Sequence, residues 1–188
     1  DMSLVEDIIT SSHNENVAYA IFDNHKRGDY KPYVFKTTNK GKSWKQISND
    51  LPKWGTAHTI AEDHGDPNLL FVGTEYGLFV TQNGGENWAK MTGGLPTISV
   101  RDIEIQRREN DLVVGTFGRG IYIVDDYSPL RTKTAVLKKQ AATLFPVKDP
   151  WLYMEGNQYG NEKKGSNGNE LFTADNPPYG AVISYYLK

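Results

Sequence analysis

The side chains best suited to chemistry in this chain of 188 residues are carboxylates, most of them in pairs. Asp102 and Glu104 alternate along one strand-like stretch, Glu62 and Asp63 are adjacent, Asp125 and Asp126 close an apolar run, and Glu75 sits in a turn sequence. Two carboxyls about 5–10 Å apart across one bond hydrolyse a glycoside, one as proton donor and one as base or nucleophile. None of these carboxylates has a flanking pattern that marks a proton donor. His13, His25, His58 and His64 lack the spacing of a zinc site. The absence of cysteine excludes disulfides, thiolate ligands and cysteine nucleophiles. There is no G-x-S-x-G, G-x-G-x-x-G or P-loop pattern, and Gly118-Arg119-Gly120 reads as a turn. The sequence therefore predicts no metal site, no cofactor and no catalytic set.

Composition narrows the partners. Twenty-one Lys+Arg against 23 Asp+Glu give a net charge of −2, which leaves no basic footprint for nucleic acid and no polybasic segment for a membrane surface. Mean hydropathy is −0.58. Apolar runs such as Leu69–Val72 fall far short of the ~20 residues of a membrane-spanning helix. The opening stretch DMSLVEDIIT does not read as a signal peptide. Aromatics at 12% and 18 glycines favour strands and tight turns.

The elements that must position these residues come from a repeat. Thr37-Thr38-Asn39-Lys40-Gly41-Lys42-Ser43-Trp44 returns as Thr81-Gln82-Asn83-Gly84-Gly85-Glu86-Asn87-Trp88. The tryptophans are 44 residues apart, as are Pro52 and Pro96. Apolar runs recur at Val17–Ala20, Leu70–Gly73 and Leu112–Gly115, preceded by VEDIIT, HTIAED and VRDIEIQ. Three units are visible, and the third lacks the Gly-x-x-Trp ending. Each full unit reads as four short strands separated by turn signals such as Asp66-Pro67-Asn68 and Asn83-Gly84-Gly85. Four antiparallel strands per ~40–50 residues are one blade of a β-propeller.

The sequence Thr-x-Asn-x-Gly-x-x-Trp resembles the Asp-box, or BNR repeat, with Asn where that family usually has Asp. The run VVGTFGRGIYIVDDYSPLR resembles the end of the propeller in sortilin-like, "glycosyl hydrolase"-type proteins secreted by bacteria. NPPYGAVISYYLK resembles the linker and first strand of the Ig-like domain that follows that propeller. The resemblance implies an extracellular, periplasmic or cell-surface location. It also implies that Thr37, Asn39, Gly41, Trp44, Thr81, Asn83, Gly85 and Trp88 are structural. Gly41 and Gly85 supply positive φ, the asparagines form Asx turns backed by the threonine hydroxyls, and both tryptophans are expected between adjacent sheets.

The expected fold is all-β: a partial propeller of two four-stranded blades and one three-stranded blade over residues 1–126. A linker over 127–179 and one β-sandwich strand over 180–188 follow. Propellers close with 4–8 blades. The remaining blades are accordingly expected from another chain or another segment, with residues 1–188 not folding cooperatively alone. Gly156–Glu170 reads as an irregular loop, Asn176-Pro177-Pro178 as a stiff turn, and the last strand is expected to pair outside this chain. One face of the propeller carries the loops that include Trp54, His58, Glu75, Tyr76, Phe117, Arg119 and the insertion 23–33. Loops on a rigid scaffold carry function, so these residues are the expected site for a protein or glycan ligand. The function expected is a non-catalytic extracellular module for protein or glycan binding or for assembly; the alternative is part of a secreted glycoside hydrolase whose catalytic acids lie partly in the missing blades.

Overall fold

A computed structural model describes residues 3–150, 152 and 179–188. They fall into two units, one ending at Thr134 and one beginning at Ala135. The predicted loop 156–170 and the turn 176–178 lie outside the described residues.

The first unit contains three antiparallel sheets, each with its strands in chain order. Strands β1 (Leu4–Thr10), β2 (Ala18–Asn24), β3 (Asp29–Thr37) and β4 (Lys45–Gln46) form the first. Strands β5 (Ala57–Glu62), β6 (Leu70–Thr74), β7 (Gly77–Thr81) and β8 (Ala89–Lys90) form the second. The third has three strands, β9 (Val100–Gln106), β10 (Asp111–Thr116) and β11 (Ile121–Val124). This is the arrangement of strands expected from the repeat. The insertion 23–33 is mostly strand: it lengthens the β2–β3 hairpin around a single 3-10 turn at His25–Arg27.

Packing follows the period of two. Strand β6 is buried at every residue, because it is covered on both faces. Leu70 and Val72 point to one side, where they meet Tyr19, Ile21 and Val34 of the first sheet. Leu69 and Phe71 point to the other, where they meet Val100, Ile103, Leu112 and Val114 of the third. Each such aliphatic side chain contributes about 1.5–3 kcal/mol by leaving water. The first strands are neighbours from sheet to sheet, with β5 between β1 and β9. Asp7 ties one such pair: its carboxylate accepts the Thr59 hydroxyl and the Ile60 N–H, both at 3.1 Å.

The two threonine–asparagine turns are built alike. The Thr37 hydroxyl donates to Asn39 Oδ1 (3.0 Å) and accepts the N–H of Asn39 and of Gly41. Asn39 Oδ1 also accepts the Ser43 N–H, while its amide donates to the Ser43 hydroxyl. Thr81, Asn83, Gly85 and Asn87 repeat every one of these roles. An asparagine serves here because one end of its amide accepts and the other donates.

The tryptophans differ, which corrects the expectation that both lie between sheets. Trp88 is buried, and its indole N–H donates to the Ile47 carbonyl at 2.7 Å on the sheet before it. Trp44 is 42% exposed. It holds the corresponding place on the first sheet, and no earlier sheet stands against it among the described residues.

The first unit extends past residue 126, where the sequence starts a linker. Tyr127 is buried, edge-on to Phe71 at 5.1 Å between ring centroids. A 3-10 turn at Ser128–Arg131 then brings Arg131 back onto Asp63. In the second unit, β12 (Ala142–Leu144) pairs with β13 (Tyr185–Leu187). The expectation that the last strand finds its partner outside this chain is thus corrected. The strand is also shorter than the stretch 180–187, with residues 181–184 outside the ladder. The short apolar run at Leu144-Phe145 supplies the partner, and the Phe145 N–H donates to the Ser184 carbonyl.

Candidate functional site

Each inner strand carries one irregularity at the same place. In β1, Val5 faces Phe22 and Asp7 faces Ile21, so Glu6 is an extra residue without a partner on β2. In β5, Ala57 faces Thr74 and Thr59 faces Gly73, leaving His58 extra. In β9, Val100 faces Thr116 and Asp102 faces Gly115, leaving Arg101 extra. A bulge of this kind takes a side chain out of the pleat and re-aims it.

All three re-aimed residues line one cleft of about 610 Å³, at the end of the sheets where β1, β5 and β9 begin. The cleft also takes Asp23 and His25 from the first sheet, and Thr56 and the turn Glu75-Tyr76 from the second. Three aromatic rings complete it: Tyr30, Trp54 and Tyr76, all substantially exposed. A second hollow of about 600 Å³ shares Tyr30 and Trp54, so these two rings stand between two recesses. Gly55 fixes the position of Tyr76. Its φ is 108°, and a Cβ there would stand 2.6 Å from the tyrosine ring.

The floor of the cleft is a polar cluster. His58 is buried, and its Nε2 lies 2.9 Å from Glu75 Oε2. Its Nδ1 lies 3.3 Å from Arg101 Nη1. A guanidinium can only donate, so Nδ1 accepts and the proton sits on Nε2, directed at Glu75. Glu75 Oε2 also accepts from the Ser99 hydroxyl and Arg101 Nη2. Burial raises the Glu75 carboxyl, but the His58 hydrogen bond, the Arg101 charge and the Ser99 hydroxyl outweigh it and hold it below its ordinary value. Asp23 is likewise buried and held low, burial being outweighed by the backbone N–H and ring of His25. Its carboxylate contacts His25 Nδ1 directly.

Of the residues singled out in the sequence, Trp54, His58, Glu75 and Tyr76 come together in this cleft. Phe117 lies at its margin, 70% exposed, with the Arg101 guanidinium 5.6 Å from its ring centroid. Arg119 does not line the cleft; the arginine that does is Arg101. Four of the other candidate carboxylates are bonded within the fold. Glu62 accepts from Ser11, the Ser12 N–H and the Tyr19 hydroxyl. Asp63 binds Arg131 and Tyr127. Asp102 takes the Ile103 N–H, and Asp126 takes the Ser128 N–H. Among the described residues, no three His, Asp or Glu side chains are grouped to hold a metal ion.

Asp23, His25 and Tyr30 belong to the insertion 23–33 that the sequence places on this face, whereas Glu6 and Arg101 were missed by sequence reasoning. A signal for these two exists in the repeat: Val5-Glu6-Asp7-Ile8, Ala57-His58-Thr59-Ile60 and Val100-Arg101-Asp102-Ile103 share a frame in which the second position changes its chemistry.

No family model matches the chain, and no curated protein matches it. Among solved structures, the chain is similar to a GH74 enzyme from Niastella koreensis, with a TM-score of 0.52 and 20% identity over 65% of this chain and 21% of that one. At that identity the likeness is one of fold. The three sheets are blades of a β-propeller. An ancestral GH74 enzyme is 27% identical over 61% of this chain and 14% of its own, with a TM-score of 0.49. YCF48 from Cyanidioschyzon merolae is 14% identical over 79% of this chain and 48% of its own, with a TM-score of 0.42. The chain therefore spans about a fifth of the length of the first and a seventh of the second. Among the described residues, no helix is long and apolar enough to cross a membrane.

Proposed function

We propose that this propeller segment is a non-catalytic saccharide-binding module of an extracellular or cell-surface protein. The observation that carries the reading is the set of exposed rings, Tyr30, Trp54 and Tyr76, around a polar floor in one cleft. Exposed aromatic faces held on a rigid scaffold stack on the apolar face of a sugar ring, while nearby polar groups meet its hydroxyls. The second recess beyond Tyr30 and Trp54 fits a ligand of more than one sugar.

The rival reading, part of a secreted glycoside hydrolase, requires a proton-donating carboxyl with a raised pKa. Glu75 and Asp23 are both held low, which suits a base or nucleophile and not the donor, so that reading places the donor in the remaining blades. The assignment of the two turns to the Asp-box family is part of our proposal, as is that of residues 180–188 to an Ig-like domain. Exposed Leu4, Val5 and Ile8 on one outer sheet, and Ile121 and Ile123 on the other, support further blades packing on both sides.

The test is titration of the protein with neutral oligosaccharides, followed by tryptophan fluorescence and calorimetry. Binding that Trp54→Ala weakens at least tenfold supports the proposal. Hydrolysis of any of these sugars that Glu75→Gln abolishes would favour the enzyme instead.

A further inference from the structure

We infer that the bulge residue of each inner strand is the ligand-reading position of the cleft, and that the present set selects a saccharide bearing an ammonium group, with Glu6 as its receptor. This rests on the saccharide-binding reading above and adds the charge of the ligand to it.

The three bulges place Glu6, His58 and Arg101 at one backbone position of three successive blades. Outside the ladder, a side chain changes without disturbing a cross-strand pair. The charges of the cleft are nearly all satisfied. Arg101 is engaged by Glu75 and His58 and faces the Phe117 ring. Asp23 is engaged by His25. Glu6 is exposed and makes no hydrogen bond or ion pair among the described residues. Among the described residues the unmatched charge in the cleft is therefore negative, and it shares that cleft with three aromatic rings whose faces attract cations. A neutral sugar uses the rings and offers Glu6 hydroxyl donors only, with no charge to pair with it. A uronate meets a carboxylate with no free arginine to offset it.

An ammonium at Glu6 forms an ion pair at a solvent-exposed rim, which strengthens binding about three- to fivefold. Contact of the same cation with a ring face brings the preference to about tenfold. The third blade shows that the position also accepts arginine, so Glu6→Arg is compatible with the backbone. That variant should turn the preference toward an acidic saccharide.

The experiment is calorimetric titration of the parent protein, Glu6→Gln and Glu6→Arg with three oligomers of equal length. These are glucosamine at mildly acidic pH, N-acetylglucosamine, and galacturonate. The expected result is a roughly tenfold preference of the parent for glucosamine, lost in Glu6→Gln and reversed toward galacturonate in Glu6→Arg. N-acetylglucosamine should bind all three proteins alike. Equal affinity of the parent for all three oligomers overturns the ammonium inference and leaves the saccharide reading standing. A glucosamine preference that Glu6→Gln retains overturns the role of the bulge position. Absence of binding to any oligomer overturns the saccharide reading, and this inference with it. If Glu6→Arg does not fold, the Glu6→Gln comparison still decides the matter.

Discussion

Replacing Asp63 by asparagine should cost the first unit about 3 kcal/mol at neutral pH, the lower end of the 3–5 kcal/mol for breaking a buried ion pair. The carboxylate is fully buried and accepts five hydrogen bonds: two from Arg131 at 2.8 Å, one from Tyr127 at 2.6 Å, and the N–H groups of Gly65 and Asp66. Asparagine keeps the shape but turns an NH2 group toward the guanidinium. Arg131 is left a bond to Asn110 and some contact with water, which places the cost at the lower end. The pKa leads to a similar size. Burial raises the Asp63 carboxyl, but Arg131, Tyr127 and the Asp66 N–H together hold it down to about 2 from 3.8. A depression of that extent corresponds to about 2 kcal/mol of folding free energy. Because the folded value lies below the unfolded one, this stabilisation is complete above about pH 4 and is lost as pH falls toward 2. Urea unfolding followed by tryptophan fluorescence, at neutral pH and at steps below pH 4, measures both parts. The gap between parent and Asp63→Asn should shrink to about 1 kcal/mol near pH 2. A gap below about 1 kcal/mol at neutral pH, or one that does not change with acid, would refute the reasoning.

Gly85→Ala should destabilise more than Gly41→Ala. Both positions have positive φ, worth about 1–2 kcal/mol, but only at Gly85 would the new Cβ stand 2.8 Å from Ile47 of the neighbouring sheet; parallel urea melts rank the two. Thr81→Val should cost about 2 kcal/mol by leaving the N–H groups of Asn83 and Gly85 without their acceptor, whereas Thr81→Ser should fall within about 1 kcal/mol of the parent. Trp88→Ala should cost about 3–5 kcal/mol and Trp44→Ala much less, since Trp88 is buried with its indole N–H bonded and Trp44 is 42% exposed. Trp54→Ala, at a ring 65% exposed, should leave stability within about 0.5 kcal/mol while lowering saccharide affinity in the same preparation.

The sheets were legible because their signals are local. Period-two apolar runs, turn residues and two copies of one eight-residue turn fixed the strands and their order in the first unit. Trp44 was misjudged because burial is not local: the same side chain in the same turn is covered or open according to what lies on its sheet. The path of residues 127–134 was hidden for a similar reason. Arg131 and Asp63 are 68 positions apart in sequence, and neither has a neighbour that announces the other. In the cleft, the loop residues Trp54, Glu75 and Tyr76 could be placed from strand direction alone. Glu6 and Arg101 could not, because simple alternation puts an inner-strand residue in the pleat, and a bulge breaks that count by one.

The bulge also bears on how such a cleft changes over generations. A stretch that duplicates as a whole blade copies its ladder, its turn and its core contacts, all of which constrain one another. The off-ladder residue is copied too, but no cross-strand pair holds it. It answers instead to the groups of the cleft, as His58 and Arg101 do to Glu75, and a change there is visible to whatever sits in the cleft. In this chain that single position holds an acid, an imidazole and a guanidinium on three backbones of the same form. The scaffold remains a repeat while its mouth has lost the symmetry, and new binding preferences are reachable from it by one codon at a time.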